Sequence, residues 1–183
     1  MQRRSSIGGA VLFFVAAALV CVSIAAPGVA AIGAFRSLPT LGLELPAYRA
    51  YAAGDSAVMG RVAAGFVLED LFRVTTWTST LLAVIAGAAW IGMAISAGDA
   101  VRRWPSRIAL VALLVLIGAA GLANLEEPSF SSALAEYRAH AREGRRAEAD
   151  DAKARFDEMH RRAEAQRQAQ FGAALLAIAS GAA

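Results

Sequence analysis

Two histidines, His140 and His160, and one cysteine, Cys21, stand among the 183 residues of this chain. Imidazole and thiolate are the groups that bind metals or move protons near neutral pH, so catalytic chemistry would have to recruit them. Glu136 and His140 are four residues apart, and Asp157-x-x-His160 has the carboxylate-x-x-histidine spacing found in di-iron helical bundles. Those bundles also need inward glutamates from neighbouring helices, and the apolar stretches of this chain supply none. A haem would need a ligand at bundle depth, where neither histidine falls. Cys21 lies in apolar sequence without a partner cysteine, where a thiol acts as inert packing. Glycine-rich phosphate loops, nucleophile elbows and cysteine pairs are missing from the sequence. This inventory assigns no catalytic residue, no metal and no cofactor, and the expected protein is not an enzyme.

The elements that would carry these residues are sharply segregated. Residues 5–35, 74–98, 108–125 and 168–183 contain no Asp, Glu, Lys or Arg, so all 18 basic and 15 acidic side chains fall elsewhere. Soluble helices and strands mix the two classes at their own period, whereas blocks of this length match a hydrocarbon solvent. The net charge is only +3 and the basic residues have acidic neighbours, which argues against a nucleic-acid partner. The expected fold is all-α, an integral membrane helical bundle. It has three firm transmembrane helices over 7–34, 74–97 and 108–125, a partial fourth over 163–183, and a charged extramembrane helical hairpin.

Within the first span, Pro27 reads as a helix stop near the membrane edge, and the length of the run favours a retained span over a cleaved signal. Residues 36–73 form a connector: an irregular half with Pro39 and Pro46, then a short amphipathic helix from Ser56 that lies at the interface, packs on the bundle and bends into the second span, with Asp55 or Ser56 as its cap. The second span opens with Thr75-Thr76-Trp77-Thr78-Ser79-Thr80, hydroxyls that satisfy themselves one turn back, or less readily line a polar path. Ala88, Gly92 and Ser96 recur every four residues, as do Ala173, Ala177 and Gly181, small-residue stripes that let another helix approach closely. Trp77 and Trp104 fall at expected interfaces. Asn124 either bridges helices by hydrogen bonds or, the favoured reading, sits in the headgroup layer, and Glu126-Glu127-Pro128 is read as the end of the third helix.

Residues 130–168 are a charged amphipathic segment of strong helix formers interrupted at Gly144, read as two helices folded back on each other. Asp151–Arg155, Asp157–Arg161 and Glu158–Arg162 are expected i, i+4 ion pairs. Leu134, Tyr137 and Ala141 make one apolar stripe, and Phe156, Met159 and Ala163 make another. The thirteen-residue apolar run after Gln170 spans only about 20 Å, so it either recruits Ala163–Gln170 with its glutamines facing protein or stops inside the bilayer. Apart from Cys21 the span cores hold no ionisable group, which argues against proton relays and charged-substrate pathways. Arg3 and Arg4, with Arg102, Arg103 and Arg107, place the N-terminus in the cytoplasm of a bacterial inner-membrane, multi-pass protein.

The order of several short motifs resembles a known group. Ala26-Pro27 ends the first span, Met59-Gly60-Arg61 precedes the second, Pro128 follows the third, and Phe156, Met159 and His160 lead into the fourth. This pattern is similar to the bacterial four-span domain-of-unknown-function family 4149, related to the transmembrane-protein-205-like proteins. The resemblance implies a four-helix membrane bundle of unsettled activity, with His160 as the carried-over position of interest. The chain departs from it in a short fourth apolar segment and in Arg167 and glutamines where a small or apolar face is the rule.

Three functions follow as expectations. The first is a non-enzymatic bundle subunit or scaffold whose partners are the bilayer and a second copy or another membrane protein. The second is a transporter or export factor for uncharged or hydrophobic compounds, with a cavity lined by Thr75–Thr80 and Asn124. The third is a membrane-anchored protein that binds a partner through residues 132–170.

Overall fold

The computed structural model describes residues 2–97 and 104–181, and only the backbone at Gln2–Ser6, Ala97, Trp104 and Pro105. Arg102 and Arg103, and the side chains of Arg3, Arg4 and Trp104, lie outside what is described. Every described element is helical: α1 (Gln2–Ser37), single 3-10 turns at Leu38–Thr40 and Pro46–Tyr48, α2 (Arg49–Ala52), α3 (Ser56–Ala97), α4 (Trp104–Arg142) and α5 (Arg146–Gly181). Among the described residues three helical stretches are long and apolar enough to cross a membrane, Ile7–Thr40, Ser56–Ser96 and Ser106–Arg142.

The helices run further than the sequence punctuation implies. Pro27 lies inside α1, its side chain fully buried, and the helix continues to Ser37 rather than stopping. The amphipathic stretch from Ser56 forms the first turns of α3, which runs on into the second span. Asp55 caps it, Oδ1 accepting from the amides of Ala57 (2.8 Å) and Val58 (3.3 Å). Glu126-Glu127-Pro128 likewise does not end α4, which passes through Pro128 to Arg142. A proline costs an internal helix a hydrogen bond. The Ala-rich turns after Pro128, and their packing against α5, outweigh that cost.

Gly144 does turn the chain. Its φ of 70° lies in the left-handed region, and the amides of Gly144 and Arg145 return to the carbonyls of Ala141 (3.3 Å) and His140 (3.0 Å). This pair of bonds is a Schellman cap, satisfying carbonyls that the end of α4 would otherwise orphan.

The chain divides into two compact units, the first made of Met1–Ala25, Thr75–Asn124 and Ala165–Ala183, the second of Ala26–Val74 and Leu125–Glu164. The first unit has a core drawn from α1, α3, α4 and α5: Phe13, Val20, Leu113 and Leu116 among Ala16, Ala83, Ala86, Ala89, Ala112, Ala174 and Ala177. The C-terminal apolar run therefore packs as a fourth helix of this unit. Its exterior carries the larger aliphatic side chains, including Val11, Leu19, Leu81, Val84, Leu114 and Leu175. Small residues inside and large ones outside is the reverse of a water-soluble bundle, and it fits lipid as the solvent.

The second unit packs Tyr48, Tyr51, Val62, Ala141 and Ala149 around Leu45, Val58 and Tyr137. Gly60 allows the start of α3 to meet the 3-10 turn, since a Cβ there would stand 2.4 Å from Pro39 Cα. Gly144, too, is tightly placed, its would-be Cβ 3.1 Å from that of Ala50.

Candidate functional site

The first unit brings several of its polar groups together. Ser79 and Thr80 donate to the carbonyl of Thr76 at 2.9 Å each, and Ser23 donates to Val20 at 2.8 Å, so most hydroxyls settle on the preceding turn as expected. Asn124 takes the bridging role. Its amide donates to Thr80 Oγ1 and to Ala120 O, both at 2.8 Å, and so ties α4 to α3. Burial within the unit makes such a bond worth more to the chain than solvation at the rim.

Arg167, just before the last apolar run, reaches across from α5 to Thr76 near the start of the second apolar block, with Nη2 donating to Oγ1 at 3.1 Å. Gln170, one turn on, is 3% exposed. Ser23, Thr75, Thr76, Ser79, Arg167 and Gln170 thereby line a cavity of about 10 Å³, with Ile24 and Ala123 completing the wall. That space holds about one water molecule. Sequence position hid the cluster, because its members come from α1, α3 and α5. The available signal was the glutamine-rich turn before the last apolar run.

The second unit holds the histidines. His140 Nε2 is 3.8 Å from Glu136 Oε1, while Glu136 receives Arg155 from the opposite arm of the hairpin at 2.6 Å. His160 does not pair with Asp157, whose partner is Lys153. Its Nε2 is 3.3 Å from Glu164, and its ring stacks on Phe156 at 5.8 Å beside Phe130. Among the described residues no three His, Cys, Asp or Glu side chains come together as a metal would require. Of the expected helix pairs, Glu158–Arg162 forms at 3.2 Å, and Arg161 also reaches Glu158. Arg161, then Arg162, hold the exposed Glu158 carboxyl below its usual range.

Two further groupings brace this unit. Arg138 lies 4.0 Å over the Phe66 ring and donates to Glu69 at 2.5 Å. Tyr51 donates to Asp150 at 3.2 Å and meets Tyr137 edge-on at 5.9 Å. Burial, aided by the Asp150 carboxylate, pushes the Tyr51 phenol above its ordinary range.

The small-residue stripes separate in their placement. Ala173 and Ala177 are buried, and a Cβ at Gly181 would lie 2.7 Å from the Phe13 ring. Ala88, Gly92 and Ser96 are exposed, with nothing within 4 Å of a Cβ at Gly92; Ala83, Ala86, Gly87 and Ala89 face the core instead. Of the motif positions, Pro27 and Gly60 are buried, Phe156 and His160 form the aromatic stack, and Arg61 and Pro128 are exposed. No family model, no curated protein and no solved structure matches this chain.

Proposed function

We propose that this chain is a multi-pass membrane protein that works through helix association, as a bundle subunit or scaffold, and not through catalysis. The observation that carries this reading is the inside-out packing of the first unit, together with an unoccupied small-residue face, Ala88-Gly92-Ser96, on its aliphatic exterior. A face of that kind lets a second helix approach backbone to backbone in lipid. The partner is another copy of the chain or another membrane protein. On this reading α5 completes a four-helix bundle, the location is a bacterial inner membrane, and the N-terminus is cytoplasmic. The kinship with domain-of-unknown-function family 4149 belongs to the same proposal. The close approach at Gly60 and the Phe156–His160 stack support it, because both give the shared motif positions a structural task.

The test is association of the full chain in maltoside micelles and in a cellular dimerisation reporter. Gly92→Leu should reduce association by about tenfold or more, the equivalent of roughly 1.4 kcal/mol, while leaving insertion unchanged. Association equal to the unaltered chain would overturn the proposal.

A second reading, export of an uncharged or hydrophobic compound, draws on the hydroxyl-lined cavity. With room for about one water, the cavity would have to widen during transport. Loss of compound resistance in a Thr76→Val strain supports that reading, and unchanged resistance removes it.

A further inference from the structure

We propose that the end of α1 is a lipid-docking flank, its outward face over residues 26–35 lying in the hydrocarbon of an anionic bilayer while Arg36 and Arg61 hold phosphate headgroups. This rests on the reading of the chain as a membrane protein and deepens it. At the cavity wall, Ser23 of α1 meets Thr75 of α3, Ala123 of α4 and Gln170 of α5. The charge-free blocks 74–98, 108–125 and 168–183 each start or finish within two residues of those positions. Only α1 stays uncharged, through Phe35, roughly 18 Å further along its axis. That extension belongs to the second unit and is poorly covered there. Val29 is 70% exposed and Ile32 61%, and nothing stands within 4 Å of a Cβ at Gly28 or Gly33. On the hairpin of the same unit, α4 and α5 expose Arg142, Glu148, Asp151 and Arg155 instead. An exposed aliphatic face beside charged helices needs an apolar cover.

Length selects lipid as that cover. The outward row Val11, Val15, Leu19 and Val22 continues along α1 in Val29 and Ile32 at the spacing of one helix face. The uncharged run 5–35 is about 46 Å long as a helix, against about 30 Å of hydrocarbon and 40–45 Å with both headgroup layers. A tilted α1 therefore stays in the membrane over its whole uncharged length, with Arg3-Arg4 before the run and Arg36 after it.

Charge agrees. Gly60 abuts Pro39, and Arg61 is the next residue on α3, while Arg36 stands one turn before Pro39 on α1. Both arginines are exposed. The carboxylates nearest them in the chain are occupied, Glu44 by Arg49 at 2.8 Å and Asp55 by the amides it caps. Guanidinium forks match phosphate oxygens, and their stems reach from an apolar face to the headgroups. A second copy packed in parallel on this flank would set Arg36 against Arg36, a like-charge contact that anionic lipid avoids.

The experiment uses the full chain with Cys21→Ala, in nanodiscs of phosphatidylcholine and phosphatidylglycerol in equal amounts. Single nitroxide labels enter through Leu19→Cys, Val29→Cys, Ile32→Cys and Ala147→Cys, the last exposed on α5. Each label is read for access to oxygen against a water-soluble nickel chelate. The labels at Leu19, Val29 and Ile32 should favour oxygen, and the label at Ala147 the chelate. Lipid at Leu19 with water at Val29 and Ile32 overturns the docking flank alone and leaves that face to a protein partner. Water at Leu19 as well overturns the membrane reading with it. Native mass spectrometry of the unlabelled chain then measures how far phosphatidylglycerol is enriched over phosphatidylcholine among retained lipids. Arg36→Gln and Arg61→Gln should each lower that enrichment by about fivefold. Arg161→Gln, on an exposed arginine held by Glu158, should leave it unchanged. Enrichment indifferent to Arg36→Gln and Arg61→Gln together would also overturn the proposal.

Discussion

Gly60 and Tyr51 make the residue scale testable. A methyl group at Gly60 would collide with the backbone of Pro39, and backbone cannot rotate aside as a side-chain tip can. Gly60→Ala should therefore cost about 1–3 kcal/mol of stability, as overpacking does, read from unfolding of the detergent-solubilised protein. For Tyr51 the sign follows from the raised phenol. A group whose folded pKa is raised lends its stabilisation fully below its unfolded pKa and loses it as pH climbs through the folded value. Stability should thus be level up to about pH 10, the ordinary phenol value, and fall above it. Tyr51→Phe should flatten part of that fall. A profile identical in the variant would mean the phenol is not coupled to folding. Of these side chains Gly60 was visible in sequence, as part of a motif. Asn124 was legible in part, as a companion of Thr75–Thr80; the partner of Arg167 was not, because Thr76 lies 91 residues away.

At the scale of elements, charge-free blocks and helix-forming composition placed the helices well, and the break at Gly144 was legible because only glycine combines low helix propensity with freedom at positive φ. Gly144→Ala should lose about 1–2 kcal/mol, since the left-handed conformation is costly for an L side chain and Ala50 crowds the added carbon. Equal stability of that variant would show that the hairpin turn can re-form without the Schellman geometry. The ends of helices were read less well. Pro27, Pro128 and the Glu126-Glu127 pair look like terminators in a local window, yet α1 and α4 continue past all of them. Local preference amounts to about 3 kcal/mol for an internal proline, and the packing of whole turns outweighs it. Of the expected ion pairs Glu158–Arg162 forms, whereas Arg155 finds a partner on the facing arm of the hairpin, Glu136, which a same-helix rule does not consider.

For the molecule as a whole, the segregation of charge pointed to lipid, and the burial pattern of the first unit accords with it. Two neighbouring positions on α4 separate solvent from core. Leu114 faces outward and Ala112 inward. Leu114→Arg should impair insertion, by about 2.5–3.5 kcal/mol on a biological insertion scale, with the internal packing untouched. Ala112→Leu should insert normally and destabilise the inserted protein by about 1–3 kcal/mol. A glycosylation-based insertion assay and unfolding in micelles read the two effects separately, and the reverse assignment of effects would contradict the inside-out arrangement.

That arrangement also inverts the usual map of tolerance. In a water-soluble domain, trimming interior side chains does the damage and bulky additions at the rim pass unnoticed. Here the interior positions are mostly alanine already, with little left to trim, so harm concentrates in growth. A saturation scan of the first unit should show intolerance that tracks side-chain volume inward and polarity outward, two independent gradients rather than one.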